Sequence, residues 1–373
     1  MKIKVFSVFG TRPEALKIAP VLKELSKESE KIISKCCVTA QHREMLDQVL
    51  DLFDITPDYD LDLMTSDQSL SSLASKVFEK MDPIFAKEKP DWVLVQGDTT
   101  TVMATSLVAY FNRIKVGHIE AGLRSGDKYQ PFPEEINRRV VGVTADLHFA
   151  PTKIAFENLI KENVSEDSIL ITGNTIIDAL HWVVGQPFNF EKSPLKDISW
   201  NKRIILVTAH RRENFGKPIH DICYALRTIA KNNKSVHIVY PVHLNPNINR
   251  PVYELLDSID NITLLPPLDY QPLIHLMRRS YLVLTDSGGI QEEAPTFGKP
   301  VLVLRNKTER PEGIKASTAK LVGTDPQKIG GETNKLLNDS KYYQSMARAI
   351  NTYGDGQAAK RIVRALLDFE KRN

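Results

Sequence analysis

The sequence predicts an α/β protein whose parallel β-sheets are covered by helices on both faces. Short apolar segments of strand length, among them residues 3–9, 92–95 and 281–284, alternate with longer segments whose apolar residues recur at helical spacing. This alternation runs through both halves of the chain, as expected when a helix joins each parallel strand to the next. We therefore expect ligands to bind at the carboxyl ends of the strands.

The elements can be assigned in order along the chain. The first half is predicted to hold strands at 3–9, 32–39, 92–95, 115–119 and 147–150, and helices at 15–26, 41–53, 70–87, 102–111 and 134–145. The second half is predicted to hold strands at 204–208, 236–242, 262–265, 281–284 and 301–304, and helices at 218–231, 253–256, 272–279 and 290–297. We expect an N-terminal domain of residues 1–170, a C-terminal domain of residues 171–356, and a helix at 357–373 that packs back on the N-terminal domain.

The composition is that of an ordinary globular protein. With 373 residues, 42% of them hydrophobic and 25% charged, the chain is long enough for two or three domains with their own cores. A net charge of +3 indicates neither nucleic acid nor an anionic membrane as a partner. Three cysteines without metal-ligand or disulfide spacing, no signal peptide and no membrane-spanning apolar segment predict a cytoplasmic protein.

The turn Ser287, Gly288, Gly289 between a predicted strand and helix has the features of an anion site. N–H groups of the first helical turn point outward, the helix dipole adds positive charge, and glycine lets a phosphate approach the backbone. Further on, Glu292 or Glu293 offers a carboxylate for a ribose diol and Arg310 offers a guanidinium for a phosphate. Together these residues predict that the ligand is a nucleotide diphosphate. If only the glycines and one glutamate are considered, a capped βαβ unit without a ligand explains them equally well.

Charged residues follow other predicted strands in both halves of the chain: Arg12, Lys17, Asp98, Glu120, Arg124, His210 and Arg211. Because the carboxyl ends of parallel strands share one edge, this set predicts a charged ligand and acid–base chemistry in a cleft between the domains. Taken singly, Asp98 could be a helix cap and His210 a core histidine, and Arg138 with Arg139 indicates a solvated face. No GxGxxG turn supports NAD, and the histidines lack metal-ligand spacing.

Ten motifs occur together in the order found in a known enzyme family. They are FGTRPEALKIAPV, TAQHREMLDQVL, VQGDTTTVMA, GHIEAGLRS, PFPEEINRR, ITGNTIIDAL, TAHRREN, PVHLNPN, DSGGIQEEAPTFGKPVLVLR and TERPEG. Through them the chain resembles the non-hydrolysing UDP-N-acetylglucosamine 2-epimerases from Phe9 to about Gly356. One such motif would carry little weight, but ten in register are highly specific.

The resemblance implies both a fold and a reaction. The fold is two Rossmann-like, doubly wound domains facing a central cleft, as in GT-B glycosyltransferases, in a cytoplasmic homodimer. The reaction is reversible conversion of UDP-N-acetylglucosamine (UDP-GlcNAc) to UDP-N-acetylmannosamine (UDP-ManNAc) with no cofactor and no metal. Because the C2 proton has no adjacent carbonyl, UDP is eliminated to give 2-acetamidoglucal and is added again after protonation from the other face. The product would supply N-acetylmannosamine-type sugars for cell-surface polysaccharide.

The resemblance also implies roles for individual residues. The implied catalytic residues are Asp98, Glu120, Glu134 and His210. The implied diphosphate ligands are Arg12, Lys17, Arg310, Ser287, Gly288 and Gly289. Glu293 is expected to hold the ribose, and the loop that includes Leu268 and Leu273 is expected to contact the uracil. The sequence does not assign which carboxylate removes the proton and which returns it.

Some relatives bind a second UDP-GlcNAc as an activator beside the substrate. The matching positions here would include Gln41, His42, Arg211 and His243. Glu44 and Asp67 stand where activated relatives often have Gln and Arg. Two acidic side chains beside a diphosphate are unfavourable, so we expect weak activation.

Three other functions stay open on the sequence. A GT-B glycosyltransferase that uses a UDP-sugar would share the nucleotide-binding half without needing the full acid–base set. A hydrolysing 2-epimerase would release free N-acetylmannosamine and UDP. A non-catalytic regulator that binds a UDP-sugar would need no acid–base residues.

Overall fold

The computed structural model describes residues 2–39, 43–63, 68–348 and 351–372. The chain divides into two compact units: unit 1 comprises Met1–Trp182 with Tyr353–Asn373, and unit 2 comprises Val183–Thr352. Each unit is an open parallel sheet with helices between its strands, so the predicted α/β class is confirmed. None of the described helices combines the length and hydropathy needed to cross a bilayer.

The sheet of unit 1 has seven strands in the described residues. The strands are β1 (Ile3–Phe9), β2 (Ile32–Val38), β3 (Tyr59–Asp60), β4 (Trp92–Gln96), β5 (Lys115–Ile119), β6 (Leu147–Ala150) and β7 (Ile169–Ile171). The helices between and after them are α1 (Arg12–Lys27), α2 (Arg43–Leu52), α3 (Leu70–Glu88), α4 (Thr100–Phe111), α5 (Glu134–Thr144), α6 (Lys153–Lys161) and α7 (Thr175–Gly185). The strand order β3-β2-β1-β4-β5-β6-β7 is doubly wound, with β1, β4 and β5 side by side.

The sheet of unit 2 repeats this winding with six strands in the part of the chain that is described. The strands are β8 (Arg203–Thr208), β9 (Val236–Pro241), β10 (Ile262–Leu265), β11 (Leu282–Thr285), β12 (Val301–Val303) and β13 (Ala319–Leu321). The helices are α8 (Lys217–Asn232), α9 (Pro246–Leu256), α10 (Tyr270–Arg279), α11 (Gly288–Glu293), α12 (Pro311–Lys315), α13 (Pro326–Asn338) and α14 (Ser340–Ala347). In the order β10-β9-β8-β11-β12-β13, β8 and β11 are neighbours at the centre.

Local sequence explains where the helices of unit 1 begin. Thr11 precedes α1 and forms a capping box with Glu14, and a proline occupies the first turn. Thr99 accepts a hydrogen bond from the Val102 N–H and so caps α4. Each of these capping residues lies in the short turn between a strand and the helix that follows it. The capping hydrogen bonds therefore fix the conformation of the turns after β1 and β4.

Helix α15 (Ala358–Arg372) belongs to unit 1 although unit 2 precedes it in the sequence. The Asp178 carboxylate accepts hydrogen bonds from the N–H groups of its first turn. Near its other end, Glu370 Oε1 accepts a 2.9 Å hydrogen bond from Trp92 Nε1, and the rings of Trp92 and Phe369 meet edge to face at 5.1 Å. These contacts attach α15 to β4 and α7.

Each unit has its own apolar core. In unit 1, Phe6 and Val93 of the sheet pack with Phe85 of α3. In unit 2, the core includes Leu284 of the sheet and Ile222 of α8. Both sets are buried, as the long apolar strands predict for sheets covered on two faces.

Three boundaries differ between the structure and the sequence-based assignment, and helices α6, α7 and α12 to α14 were not assigned from the sequence. The boundary predicted between residues 170 and 171 falls inside β7, which pairs with β6, whereas the units divide after Trp182. The helix predicted at 253–256 is only the last part of α9, because Pro246 and Pro251 interrupt its apolar pattern but are accommodated. The helix predicted at 290–297 begins at Gly288 and continues as a 3₁₀ turn after Glu293.

Candidate active site

Predicted site residues follow three neighbouring strands of unit 1. Arg12 comes after β1, Asp98 after β4 and Glu120 after β5, and these strands are paired in the order β1-β4-β5. Glu134 is the first residue of α5, the next helix along the chain. The turns that follow these strands, here called exit turns, carry Asp98 and Glu120, whereas Glu134 lies at the start of the helix that comes next.

Glu120 is held in an unusual backbone conformation with one carboxylate oxygen engaged. Its φ angle of 67° lies in the left-handed region, which is costly for a residue with a side chain and is common at functional sites. Lys17 Nζ and Gln96 Nε2 both donate to Oε2, the latter at 2.7 Å. The other oxygen, Oε1, accepts no hydrogen bond from a described residue.

Asp98 shows the same one-sided pairing. Arg138 donates from Nε at 3.0 Å and from Nη2 at 2.6 Å, both to Oδ2 of Asp98. Within the described residues, no donor reaches Oδ1. The Arg138 side chain is only 12% exposed, so its interpretation as part of a solvated face is wrong; Arg139, at 49%, fits that interpretation. Arg138 pairs with Asp98, which lies 40 residues earlier in the chain. Local spacing in the sequence therefore gives no sign of this pairing.

The two glutamates that begin α5 have different surroundings. Glu135 is fully buried and accepts hydrogen bonds from the N–H groups of Ser125 and Gly126 and from Arg138 Nη1. Burial raises the pKa of Glu135, but these hydrogen bonds and the guanidinium outweigh burial and hold the pKa below its usual range. Glu134 has a buried Oε2 to which no described residue donates. Glu135 is thus structural, and Glu134 has an uncommitted carboxylate oxygen.

A further carboxylate, Glu14, connects two exit turns of unit 1. It is 2% exposed and accepts hydrogen bonds from the N–H groups of Thr11 at 2.7 Å and Gly10 at 3.2 Å. Its other oxygen accepts from Thr99 Oγ1 at 2.9 Å. Burial raises the pKa of Glu14 to about 7, although the hydrogen bonds oppose this. Arg12, on the same turn, is half-buried and forms no ion pair with any described residue.

In unit 2, His210 and Asp286 follow the neighbouring strands β8 and β11. Asp286 is completely buried, and its Oδ2 accepts from the backbone N–H groups of His210 and Arg211, each at 2.8 Å. Asn214 Nδ2 donates to the same oxygen at 2.9 Å. The other oxygen, Oδ1, lies 3.5 Å from Nδ1 of the His210 ring.

The His210 ring lies beside a second imidazole. It stacks on His243 with ring centroids 5.8 Å apart, and 41% of its side chain is exposed. Even so, the surrounding protein desolvates the ring and lowers the pKa of His210, an effect opposed by Asp286 and assisted by His243 and Arg211. The alternative interpretation of His210 from the sequence, as a histidine of the buried core, is therefore wrong.

The Ser287, Gly288, Gly289 turn leads directly into α11, as predicted. The Ser287 side chain makes no capping hydrogen bond to this helix. A Cβ built on Gly288 would lie 2.9 Å from Glu309 Oε1, whereas one on Gly289 would meet nothing closer than Ser287 Oγ at 4.0 Å. The space beside Gly289 is therefore available in this structure.

Ion pairs engage Arg211, Arg305 and Arg310 of unit 2. Arg211 Nη2 lies 3.1 Å from Glu309 Oε1, and Arg305 Nη1 lies 2.6 Å from Glu309 Oε2. Burial raises the pKa of Glu309, but Arg211, Arg310 and Arg305 together lower it to about 2. Arg310, predicted to hold a phosphate, donates from Nε to Glu292 Oε1 and is 14% exposed.

The residues expected to contact ribose and uracil lie on and beside α10 and α11. Glu293 is buried and accepts a 2.8 Å hydrogen bond from the Tyr270 hydroxyl. Leu268 is buried and Leu273 is half-buried.

Part of the predicted activator set lies outside the described residues, namely Gln41, His42 and Asp67. Arg211 and His243 are described, and His243 Nδ1 accepts from the Asn245 N–H at 3.1 Å. In the described ranges, no three His, Cys, Asp or Glu side chains are grouped as a metal site.

Comparison with known proteins places the chain in a family. A family model for UDP-N-acetylglucosamine 2-epimerase matches residues 23–367. A protein of Escherichia coli K12 named UDP-N-acetylglucosamine 2-epimerase is 53% identical over 370 residues, which cover 98% of each chain. The chain belongs to the UDP-N-acetylglucosamine 2-epimerase family. The resemblance seen in the ten motifs is thereby confirmed.

Solved epimerase structures share the fold. The UDP-GlcNAc 2-epimerase of Neisseria meningitidis, solved with bound UDP-GlcNAc, superposes with a TM-score of 0.89 at 48% identity and covers 98% of this chain and 100% of its own. The Methanocaldococcus jannaschii UDP-GlcNAc 2-epimerase, solved with UDP-GlcNAc and UDP, gives a TM-score of 0.79 at 32% identity, covering 98% and 99%. The two Rossmann-like sheets predicted from the sequence are those of this epimerase family.

Several neighbours of the predicted residues were missed by the sequence analysis. Gln96 and Arg138 have no local signal, since their partners Glu120 and Asp98 are distant in sequence. Glu14 did have a local sequence signal, because Thr11 and Glu14 have the Thr-x-x-Glu spacing of a capping box. Asp286 also had a local signal, since it directly precedes the glycine turn.

Proposed function

We propose that this chain interconverts UDP-GlcNAc and UDP-ManNAc by eliminating UDP and adding it again at C1. The proposal is carried by one observation: Asp98, Glu120 and Glu134 each keep a carboxylate oxygen to which no described residue donates. In Asp98 and Glu120 the second oxygen is fixed by Arg138 or by Lys17 with Gln96. A carboxylate fixed through one oxygen can exchange a proton through the other without losing its position.

The reaction requires two proton transfers on opposite faces of the sugar. In the forward direction one carboxylate removes the C2 proton, the C1–O bond breaks, and its electron pair leaves with UDP. The C1–C2 double bond of 2-acetamidoglucal results. A second acid then delivers a proton to the other face of C2 while UDP re-forms its bond to C1. We propose Asp98, Glu120 and Glu134 for these transfers.

The departing diphosphate needs positive partners. We propose His210, Arg12, Lys17, Arg310, the Ser287 hydroxyl and the N–H groups of Gly288 and Gly289 for this task, because the Ser287 N–H already donates to Thr285 Oγ1. Arg12 suits it because it forms no ion pair with a described residue. Lys17 and Arg310 are engaged with Glu120 and Glu292 here, so they would exchange a carboxylate partner for a phosphate. Glu293 is proposed to hold the ribose, and Leu268 with Leu273 the uracil.

Proton NMR of UDP-GlcNAc with the pure protein in D2O tests the reaction. We expect UDP-ManNAc to form and deuterium to enter C2 of both epimers. Free N-acetylmannosamine with UDP would identify a hydrolysing epimerase. An unchanged spectrum would favour a glycosyltransferase that lacks its acceptor, or a binding protein. Epimerisation with full retention of the C2 proton would exclude the elimination mechanism.

We further propose a homodimer that is weakly activated by substrate. Exposed apolar side chains on α4 and α5, with Phe111 66% and Val143 86% exposed, support self-association. Light scattering of Val143→Glu tests the dimer, because a charge at this position should favour the monomer.

Activation is tested by supplying UDP-ManNAc alone. We expect epimerisation to begin without a lag. A lag that disappears when a trace of UDP-GlcNAc is added would show that the activator is required. The product would supply N-acetylmannosamine-type sugars for cell-surface polysaccharide.

A further inference from the structure

Asp286 uses its two carboxylate oxygens differently. Oδ2 accepts three hydrogen bonds, from the backbone N–H groups of His210 and Arg211 and from the Asn214 amide. This oxygen alone satisfies the exit turn after β8. Oδ1 is buried as well, yet none of the described residues makes a hydrogen bond to it. A buried carboxylate oxygen without a donor is costly, so a role confined to the turn leaves Oδ1 unexplained.

The group facing Oδ1 is the imidazole of His210. Nδ1 of that ring lies 3.5 Å from Oδ1, slightly longer than a good hydrogen bond. Hydrogen bonds of active sites are often long in unliganded proteins and shorten when substrate binds. The backbone N–H of His210 donates to the same carboxylate through Oδ2, so Asp286 contacts this residue at both its backbone and its ring.

We propose that Asp286 is a positioning residue that accepts the Nδ1–H of His210 and so leaves Nε2 to act on the substrate. This inference rests on the proposed function, in which His210 assists departure of the diphosphate. A carboxylate at Nδ1 fixes both the tautomer and the orientation of an imidazole, and it stabilises the imidazolium when Nε2 gains a proton.

The charges around the ring give Asp286 a second effect. His243 stacks on the ring and Arg211 lies next to it in sequence, and both lower the pKa of His210, as does desolvation. Asp286 opposes them and raises the pKa of His210. The carboxylates Glu309 and Glu213 are paired with Arg211 and Arg305. Loss of the Asp286 charge should therefore move the His210 titration to lower pH.

Asp286→Asn tests the proposal with little change in shape. The amide oxygen of the variant can still accept the three turn hydrogen bonds, and the amide NH₂ then faces Nδ1. A donor at that position favours the opposite tautomer, with the proton on Nε2. We expect kcat to fall by roughly 10²-fold or more with a smaller change in KM. The matched control is Asn214→Ala, which removes one donor to Oδ2 and leaves Oδ1 unchanged.

Two readouts separate positioning from a purely structural role. ¹⁵N NMR of histidine-labelled protein should show Nδ1–H at His210 in the wild type and in Asn214→Ala, and Nε2–H in Asp286→Asn. In addition, Asp286→Asn should cost no further activity in a His210→Gln background, because its effect passes through the ring. An Nε2–H tautomer in the wild type, or losses that multiply in the double variant, would overturn the proposal. The NMR readout needs no turnover, so it stands even if the epimerase reaction fails.

Discussion

The two units have the same winding but different sets of charged residues at their exit turns. In unit 1 the predicted residues after the central strands include the carboxylates Asp98 and Glu120, each paired with a cation through one oxygen. In unit 2 the segments after β8 and β12 carry Arg211 and Arg310, each paired with a glutamate, and the turn after β11 carries the buried Asp286. Strand order thus fixes where the exit turns lie, whereas the residue types on the turns decide which ion pairs form there.

A pair of glutamates makes the contrast measurable. Glu14 in unit 1 is surrounded by hydrogen-bond donors and has no ion-pair partner among the described residues, and burial raises its pKa to about 7. Glu309 in unit 2 lies among guanidinium groups, which lower its pKa to about 2 against the effect of burial. The same side chain therefore makes opposite contributions to the pH dependence of stability.

The largest expected effect follows removal of the acid–base groups in unit 1. Asp98→Asn, Glu120→Gln and Glu134→Gln should each lower kcat by roughly 10² to 10⁴-fold, the usual contribution of a positioned acid or base. UDP affinity, for which unit 1 is proposed to supply only Arg12 and Lys17, should stay within about threefold because both cations remain. Steady-state kinetics and calorimetry measure the two quantities. Glu24→Gln, which removes a half-buried charge of α1 that pairs with the exposed Lys27, is the matched control. Near-normal rates in all three variants would reverse the assignment.

The next effect concerns Glu14 and stability. The pKa of Glu14 is 4.5 in the unfolded state and about 7 in the folded state, so the folded state binds the proton more tightly. The stabilisation from this proton is therefore lost as the pH rises from 4.5 to about 7. The free energy of unfolding should fall by up to about 3 kcal/mol across this window. Glu14→Gln should remove that part of the slope in urea unfolding. Equal slopes in the variant and the wild type would mean that Glu14 ionises normally.

The glycine turn of unit 2 provides a paired comparison of binding. A methyl group on Gly289 has room in this structure but would enter the proposed phosphate position, so Gly289→Ala should weaken UDP binding about tenfold without changing the melting temperature. Gly288→Ala must displace the Glu309 side chain and should change stability as well. Calorimetry and thermal melts measure both. Unaltered UDP affinity in Gly289→Ala would reduce the turn to a helix cap.

The smallest expected effect concerns Glu309. Its folded pKa lies below the unfolded value of 4.5, so its stabilisation is present above that value and is lost as the pH falls toward 2. Because a third of the side chain is exposed, screening limits the change to about 1 kcal/mol. Glu309→Gln should flatten the acid side of the stability profile and leave the neutral side unchanged. If the free energy of unfolding below pH 4.5 is the same in Glu309→Gln and the wild type, the ion pairs of Glu309 with Arg211 and Arg305 do not stabilise the fold.

Sequence patterns predicted the repeated architecture and the turns to which the site is assigned by proposal, because strand length and helical spacing are local signals. They did not predict how the charges pair. The contact of Arg138 with Asp98 depends on a long irregular segment, and the contact of Gln96 with Glu120 depends on β4 and β5 being neighbours. The short strands β3, β7 and β13 were also missed, since two or three residues show no alternation.

The position of α15 has a consequence for biosynthesis. Glu370 bonds to Trp92 across 278 residues, and all of unit 2 is translated between them. At ribosomal rates this interval lasts roughly 15 to 55 s, during which the surface that receives the buried Ile362 and Leu366 stays uncovered. Unit 2, continuous in the chain, can complete its core within that time. The half of the protein that is translated first is therefore the half that finishes folding last.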